Sequence, residues 1–174
     1  MKKILIDLFE LMVISVLVFA IVYLFLGQLL EISGKSMDPY LRNGEQIIVE
    51  KLSSNFRPFH RGDVVVFKHP EDVDRFIVKR IIAVPGDKIK VSQGSVFVNS
   101  TSLFEEYVNN QPTLPGTFLQ ENTEVTLPSD AYFLMGDNRE ESTDSRNWGH
   151  IVKENIVGRA IMVYFPFENI RLLQ

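Results

Sequence analysis

The chain has 174 residues, 45% of them hydrophobic and 23% charged, with a net charge of −4 and no cysteine. This length and balance suit one compact domain with some chain left over and exclude a disordered polymer. The charge excludes a basic nucleic-acid surface, and the missing cysteines exclude disulfides, thiolate nucleophiles and Cys-ligated zinc.

From Leu11 to Leu30 the sequence reads LMVISVLVFAIVYLFLGQLL, with no charge and no polar face. At about 1.5 Å per residue this run spans roughly 30 Å, the hydrocarbon thickness of a bilayer. It predicts a transmembrane helix. A cleaved secretory signal fits less well, because the apolar run is long and no A-x-A-like site follows it. Lys2 and Lys3 precede the run and place the N-terminus in the cytoplasm. The expected organisation is a cytoplasmic tip and membrane helix over residues 1–30, then an extracytoplasmic domain over residues 31–174.

Past Leu30 the texture changes to short runs rich in Val, Ile and aromatics between turn residues. The predicted strands are Gln46–Glu50, Asp63–Lys68, Phe76–Val84, Lys88–Val91, Ser95–Val98, Glu124–Leu127, Tyr132–Met135 and Ile156–Tyr164. No long helical periodicity interrupts them, so the outer domain is expected to be mostly β, a folded sheet or barrel. Residues 101–122 carry two prolines and break the pattern. They are expected to form a long surface loop or small subdomain rather than a dedicated binding element.

Four segments carry groups suited to chemistry. In Ser33-Gly34-Lys35-Ser36-Met37-Asp38-Pro39, a serine beside a flexible turn can have free backbone N–H groups, as an oxyanion hole requires. A plain linker is the alternative. In Arg61-Gly62-Asp63, the aspartate leads straight into an apolar strand, which speaks against an adhesive loop tip. In Phe76–Asp87, Lys79 and Arg80 sit inside an apolar strand and must point to opposite sides. A buried lysine becomes a general base once its pKa falls by about two to three units, roughly 3–4 kcal/mol of destabilised charge. A strand cation reaching out to water is the alternative. Gly136–Arg146 is dense in groups that bond in fixed directions, beyond what a surface turn needs, though a solvated loop is the alternative. The histidines, His60, His69 and His150, fall in no catalytic-looking motif and show no metal-ligand spacing.

In order and spacing, and with a membrane helix ahead of them, these segments resemble the type I signal peptidases, in the serine/lysine form and the short single-span type of single-membrane bacteria. Ser33–Leu41 resembles the nucleophile segment, Gly62–Phe67 the second strand, Lys79–Asp87 the general-base segment, and Gly136–Arg146 the GDNR-x-x-S-x-D-S-R segment. The resemblance implies Ser36 as nucleophile, Lys79 as its base and Ser142 as the hydroxyl that orients the lysine. It implies Asp137, Arg80, Asp144 and Arg146 as an ion-paired scaffold. Ile32 and Val78 become walls of a small-residue pocket, and the Ser36 backbone N–H the oxyanion donor. Two positions depart from the family pattern. Tyr40 stands where threonine is usual, and Gly34 where some members carry an oxyanion-stabilising serine.

The expected activity is a membrane-bound endopeptidase that removes signal peptides from secretory preproteins after small residues, through an acyl-enzyme and without a cofactor or metal. Its partners are the preproteins, the lipid bilayer and a nearby translocon, with no nucleic acid. The alternatives are a serine/lysine peptidase specialised for pilus or conjugation proteins, and a non-catalytic membrane-tethered homologue. The presence of both Ser36 and Lys79 speaks against the last.

Overall fold

The computed structural model describes residues 2–25, 27–52, 56–108 and 111–173. Helix α1 covers Lys2–Phe25, and its large apolar side chains from Ile4 to Phe19 are exposed. The expected membrane span does not continue to Leu30. Gln28–Glu31 instead form strand β1, paired antiparallel with β2 (Gln46–Glu50), Gln28 opposite Val49 and Glu31 opposite Gln46. The backbone groups of this stretch are thus satisfied across a ladder rather than within a helix, and Leu30 turns inward while Leu29 faces out. The uncharged helical stretch that remains, Leu11–Phe25, is about 22 Å long. No helix among the described residues is long and apolar enough to cross a membrane.

The remaining strands are β3 (Val64–His69), β4 (Asp72–Ala83), β5 (Lys88–Ser92), β6 (Ser95–Val98), β7 (Thr101–Ser102), β8 (Val125–Thr126), β9 (Ala131–Met135), β10 (Ile151–Val152), β11 (Ile156–Phe165) and β12 (Arg171–Leu172). A four-residue helix, α2 (Ser145–Trp148), lies between β9 and β10. The larger sheet runs β1-β2-β11-β3-β4-β9-β10, with β12 on β11, and the smaller runs β7-β6-β5-β8. The architecture is mostly β, as expected. β4 is longer than predicted because the β3–β4 hairpin closes at His69 opposite Asp72.

The strand β3 is central and apolar on both faces. Val64 and Val66 pack with Ile32, Met37, Leu41, Ile47 and Val49, while Val65 and Phe67 pack with Phe59, Ile81, Leu134 and Ile151. A third core joins Ile82, Phe133 and Met135 to Ile89, Val91 and Val98 of the smaller sheet. The turn that opens β3 is tied down at both ends. Arg61 pairs with Asp87, and Asp63 accepts from Arg159 at 2.9 Å. This Arg-Gly-Asp sequence is therefore a structural corner.

Candidate active site

The site begins at a change of partners along β4. This strand pairs with β3 from Asp72 to Arg80, Val78 opposite Val66 and Lys79 opposite Val65. On its other side β9 begins to pair only at Arg80, opposite Met135. Residues 75–79 thus have no strand on that side among the described residues. A groove of about 570 Å³ opens there, walled by residues 31–37 and 75–79, with His69, Glu141 and Thr143 at its margins. Ser36, Lys79, Ile32 and Val78 all line it. Ile32 and Val78 are also anchored in the core that contains Met37 and Leu41.

Lys79 is only 3% exposed. Among the described residues it has no ion pair within 4.0 Å and no hydrogen-bond partner. Burial pulls its pKa down to about 8, against the attraction of the Asp144 carboxylate and with the help of the Arg146 charge.

Ser36 sits on the turn between β1 and β2. The turn is fastened by Asp38 N donating to Lys35 O, Leu41 N donating to Met37 O, and Gly34 N donating to Asn43 Oδ1. Met37 and Leu41, 2% and 0% exposed, anchor it from below. The Ser36 carbonyl accepts from Asn138 N at 3.0 Å, which binds the turn to the Gly136–Arg146 loop. The Ser36 N–H and hydroxyl have no protein partner among the described residues. Gly136 is where the two loops meet. A Cβ at this position would overlap the Ser142 hydroxyl and the Ser36 carbonyl, so only glycine lets them close up.

Asp144 organises the loop. One carboxylate oxygen accepts from Arg146 N and Nε, and the other from Gly136 N (3.1 Å), the Ser142 hydroxyl (2.8 Å) and Arg146 Nη2 (2.9 Å). The Ser142 hydroxyl therefore bonds to Asp144, two residues away, and not to Lys79. An ionised carboxylate is the stronger acceptor. Arg80, on the face of β4 opposite Lys79, is held by Asp137 through Nε at 2.8 Å and Nη2 at 2.6 Å, with Nη1 donating to Gly62 O. Burial lowers the Arg80 pKa, but the Asp137 hydrogen bonds and charge outweigh it and keep the guanidinium charged.

The residues brought to the site by tertiary structure alone come from the 101–122 excursion. Arg139 donates to Gly136 O, to both carboxylate oxygens of Glu105, and to the Thr113 hydroxyl. Arg146 Nη1 donates to Leu114 O, and the Arg146 carbonyl accepts from Phe118 N and Leu119 N. Gly116 lies against that carbonyl so closely that a Cβ would overlap it. The excursion is thus a buttress of the site, with Val108, Thr113 and Leu119 buried, rather than a free surface loop. Arg139 and Arg146 lay in a segment singled out by sequence, but nothing in the pattern of 101–122 pointed to their partners there. His69 also enters the groove wall, where its ring meets Trp148 at 6.1 Å and its Nδ1 accepts from Glu71 N at 3.1 Å.

A serine turn and a desolvated lysine thus share the walls of one groove in a β framework, an arrangement suited to a peptidase of the serine hydrolase class. The family model for "Signal peptidase, peptidase S26" matches residues 5–165, and the chain belongs to that family. It is 38% identical over 156 residues to "Probable signal peptidase I-2" of Synechocystis, covering 86% of this chain and 68% of that protein. It is 37% identical over 166 residues to "Signal peptidase I U" of Bacillus subtilis, covering 93% of this chain and 88% of that one. The crystal structure of a signal peptidase I from Enterococcus faecalis superposes with a TM-score of 0.51 at 26% identity, covering 59% of this chain and 97% of that chain.

Proposed function

We propose that this enzyme removes signal peptides from secretory preproteins, with Ser36 as nucleophile and Lys79 as its general base. The observation that carries the roles is the buried, unpaired amine of Lys79 on the groove that also exposes Ser36. With its pKa near 8, a substantial fraction of the amine is neutral around pH 7–8 and can accept the Ser36 proton. The serine oxygen attacks the scissile carbonyl, and the Ser36 N–H stabilises the oxyanion. The protonated lysine then donates to the departing amine, leaving an acyl-enzyme. Water, deprotonated by the same amine, releases the signal peptide.

The groove also supports the substrate preference. An extended peptide can add to the unpaired side of β4 at residues 75–78 through its backbone. Side chains then alternate, so the first and third residues before the cut face the same wall. Ile32 and Val78 on that wall would favour small side chains, in keeping with an A-x-A-like pattern.

Helix α1 serves in this reading as a membrane anchor, with Lys2 and Lys3 in the cytoplasm and the β domain outside, close to the translocon. The support is its row of exposed apolar side chains from Ile4 to Phe19. Asp7 and Glu10 then lie at headgroup level, leaving Leu11–Phe25 for the hydrocarbon. The full-length protein should remain with membranes after alkaline extraction.

The deciding experiment is cleavage of a model preprotein by wild type, Ser36→Ala and Lys79→Ala, with the cut read by mass spectrometry. Both variants should fold and lose at least about 10³-fold in rate. Near-normal cleavage by folded Lys79→Ala would rule out the dyad.

A further inference from the structure

We infer that Tyr40 is a positioning residue that acts on the nucleophile turn through Arg80. This rests on the catalytic roles proposed above. The Tyr40 ring lies against the Arg80 guanidinium, 4.4 Å from its central carbon to the ring centroid, and the ring of Tyr107 lies at 4.2 Å from the same carbon. The guanidinium edge is meanwhile occupied by both oxygens of Asp137 and by Gly62 O. Each guanidinium nitrogen thus has an acceptor while two rings lie against the group, and the aromatic contacts are strengthened because Arg80 is buried.

The connections on either side of this stack reach the two reacting groups. Tyr40 lies four residues beyond Ser36, in the turn closed by Leu41 N and Met37 O. Its carbonyl accepts from Arg171, whose guanidinium also pairs with the buried Glu45. Arg80 is the neighbour of Lys79 on β4, and Asp137 the neighbour of Gly136, which abuts the Ser36 carbonyl. Tyr107 comes from the 101–122 excursion, and its hydroxyl donates to Glu105, the partner of Arg139. The stack therefore joins the nucleophile turn, the lysine strand, the Gly136 loop and the excursion at one point.

The test measures preprotein cleavage by wild type, Ser36→Ala, Tyr40→Phe, Tyr40→Leu and Tyr107→Leu, with thermal melts of each. Tyr40→Leu is expected to lower kcat at least about tenfold with KM within about twofold, and Tyr40→Phe, which keeps the ring, to recover most of the loss. A purely structural role would lower the melting temperature without this split or this rescue. Wild-type kcat in Tyr40→Leu, or equal losses in the Phe and Leu variants, overturns the clamp. If Tyr40→Leu fails to fold, Tyr107→Leu takes its place on the same guanidinium and must show the same fall in kcat. Cleavage by Ser36→Ala, or none by wild type, overturns the catalytic reading beneath it and the clamp with it.

Discussion

Lys79 and Arg80 are adjacent on β4 and each is 3% exposed, yet the two faces of the strand treat them in opposite ways. On the Asp137 face, each guanidinium nitrogen has a carboxylate or carbonyl partner and two aromatic rings lie against the group. On the groove face, the amine has no ion pair within 4.0 Å among the described residues, and the nearest opposing charges act on it from farther away. The same burial that is fully compensated for Arg80 is left uncompensated for Lys79. The difference teaches how one strand carries both a fixed ion pair and, in the proposed mechanism, the base. Stability is concentrated on one side so that the other can hold a destabilised charge.

Substitution at each face separates the two. Lys79→Met should abolish cleavage, with a loss of at least about 10³-fold, and at the same time stabilise the protein. The sign follows from the depressed pKa. Below about pH 8 the folded state carries a buried charge, whereas the unfolded state holds the same proton in water up to about 10.5. The unfolded state therefore binds more protons between these values, and wild-type stability rises with pH across that window. The methionine variant should gain about 3 kcal/mol at pH 7, an advantage that fades by about pH 10.5. Urea titrations at the two pH values measure it. Cleavage by wild type should rise with pH through about 8 as the amine loses its proton. A flat profile from pH 6 to 9 would place the base elsewhere.

Arg80→Met should do the reverse. It leaves Asp137 buried and unpaired and should destabilise by about 3–5 kcal/mol. Combining it with Asp137→Leu should restore much of the loss in a denaturation experiment, because no isolated charge then remains. Ser142→Ala should lower kcat by roughly tenfold with a small effect on KM, since it removes one of several donors to Asp144 rather than a reacting group. Loss comparable to Lys79→Met would instead make that hydroxyl a direct partner of the amine during the reaction. The smallest effect is expected for His69→Gln, less than about threefold in kcat/KM, because its Nδ1 is turned to the backbone of its own hairpin. A larger loss would revive a histidine base.

Much of this frame was legible in the residues. Runs such as Val64-Val65-Val66-Phe67 have one plausible use, a strand buried on both faces, and the turn signals separated them correctly. The spacing of Ser36, Lys79 and Gly136–Arg146 was distinctive enough to identify the family. The end of α1 was misplaced, because Gly27-Gln28-Leu29-Leu30 is apolar enough for a helix and its pairing with β2, eighteen or so residues later, leaves no local mark. The excursion, expected as a long surface loop or small subdomain, hides its role for the same reason. Glu105, Tyr107 and Thr113 look like ordinary loop residues until their partners Arg139 and Arg80 are in place.

The amino-acid sequence by itself determined the β character of the domain and its family, because hydrophobic alternation, turn chemistry and motif spacing are local or linear properties. Only the tertiary structure decided that Lys79 is buried without an ion pair while each guanidinium nitrogen of Arg80 has a partner, and that the 101–122 segment packs against the Gly136–Arg146 loop. Those outcomes depend on which distant groups fill the space around a charge, and desolvation is a property of the enclosing volume rather than of the chain.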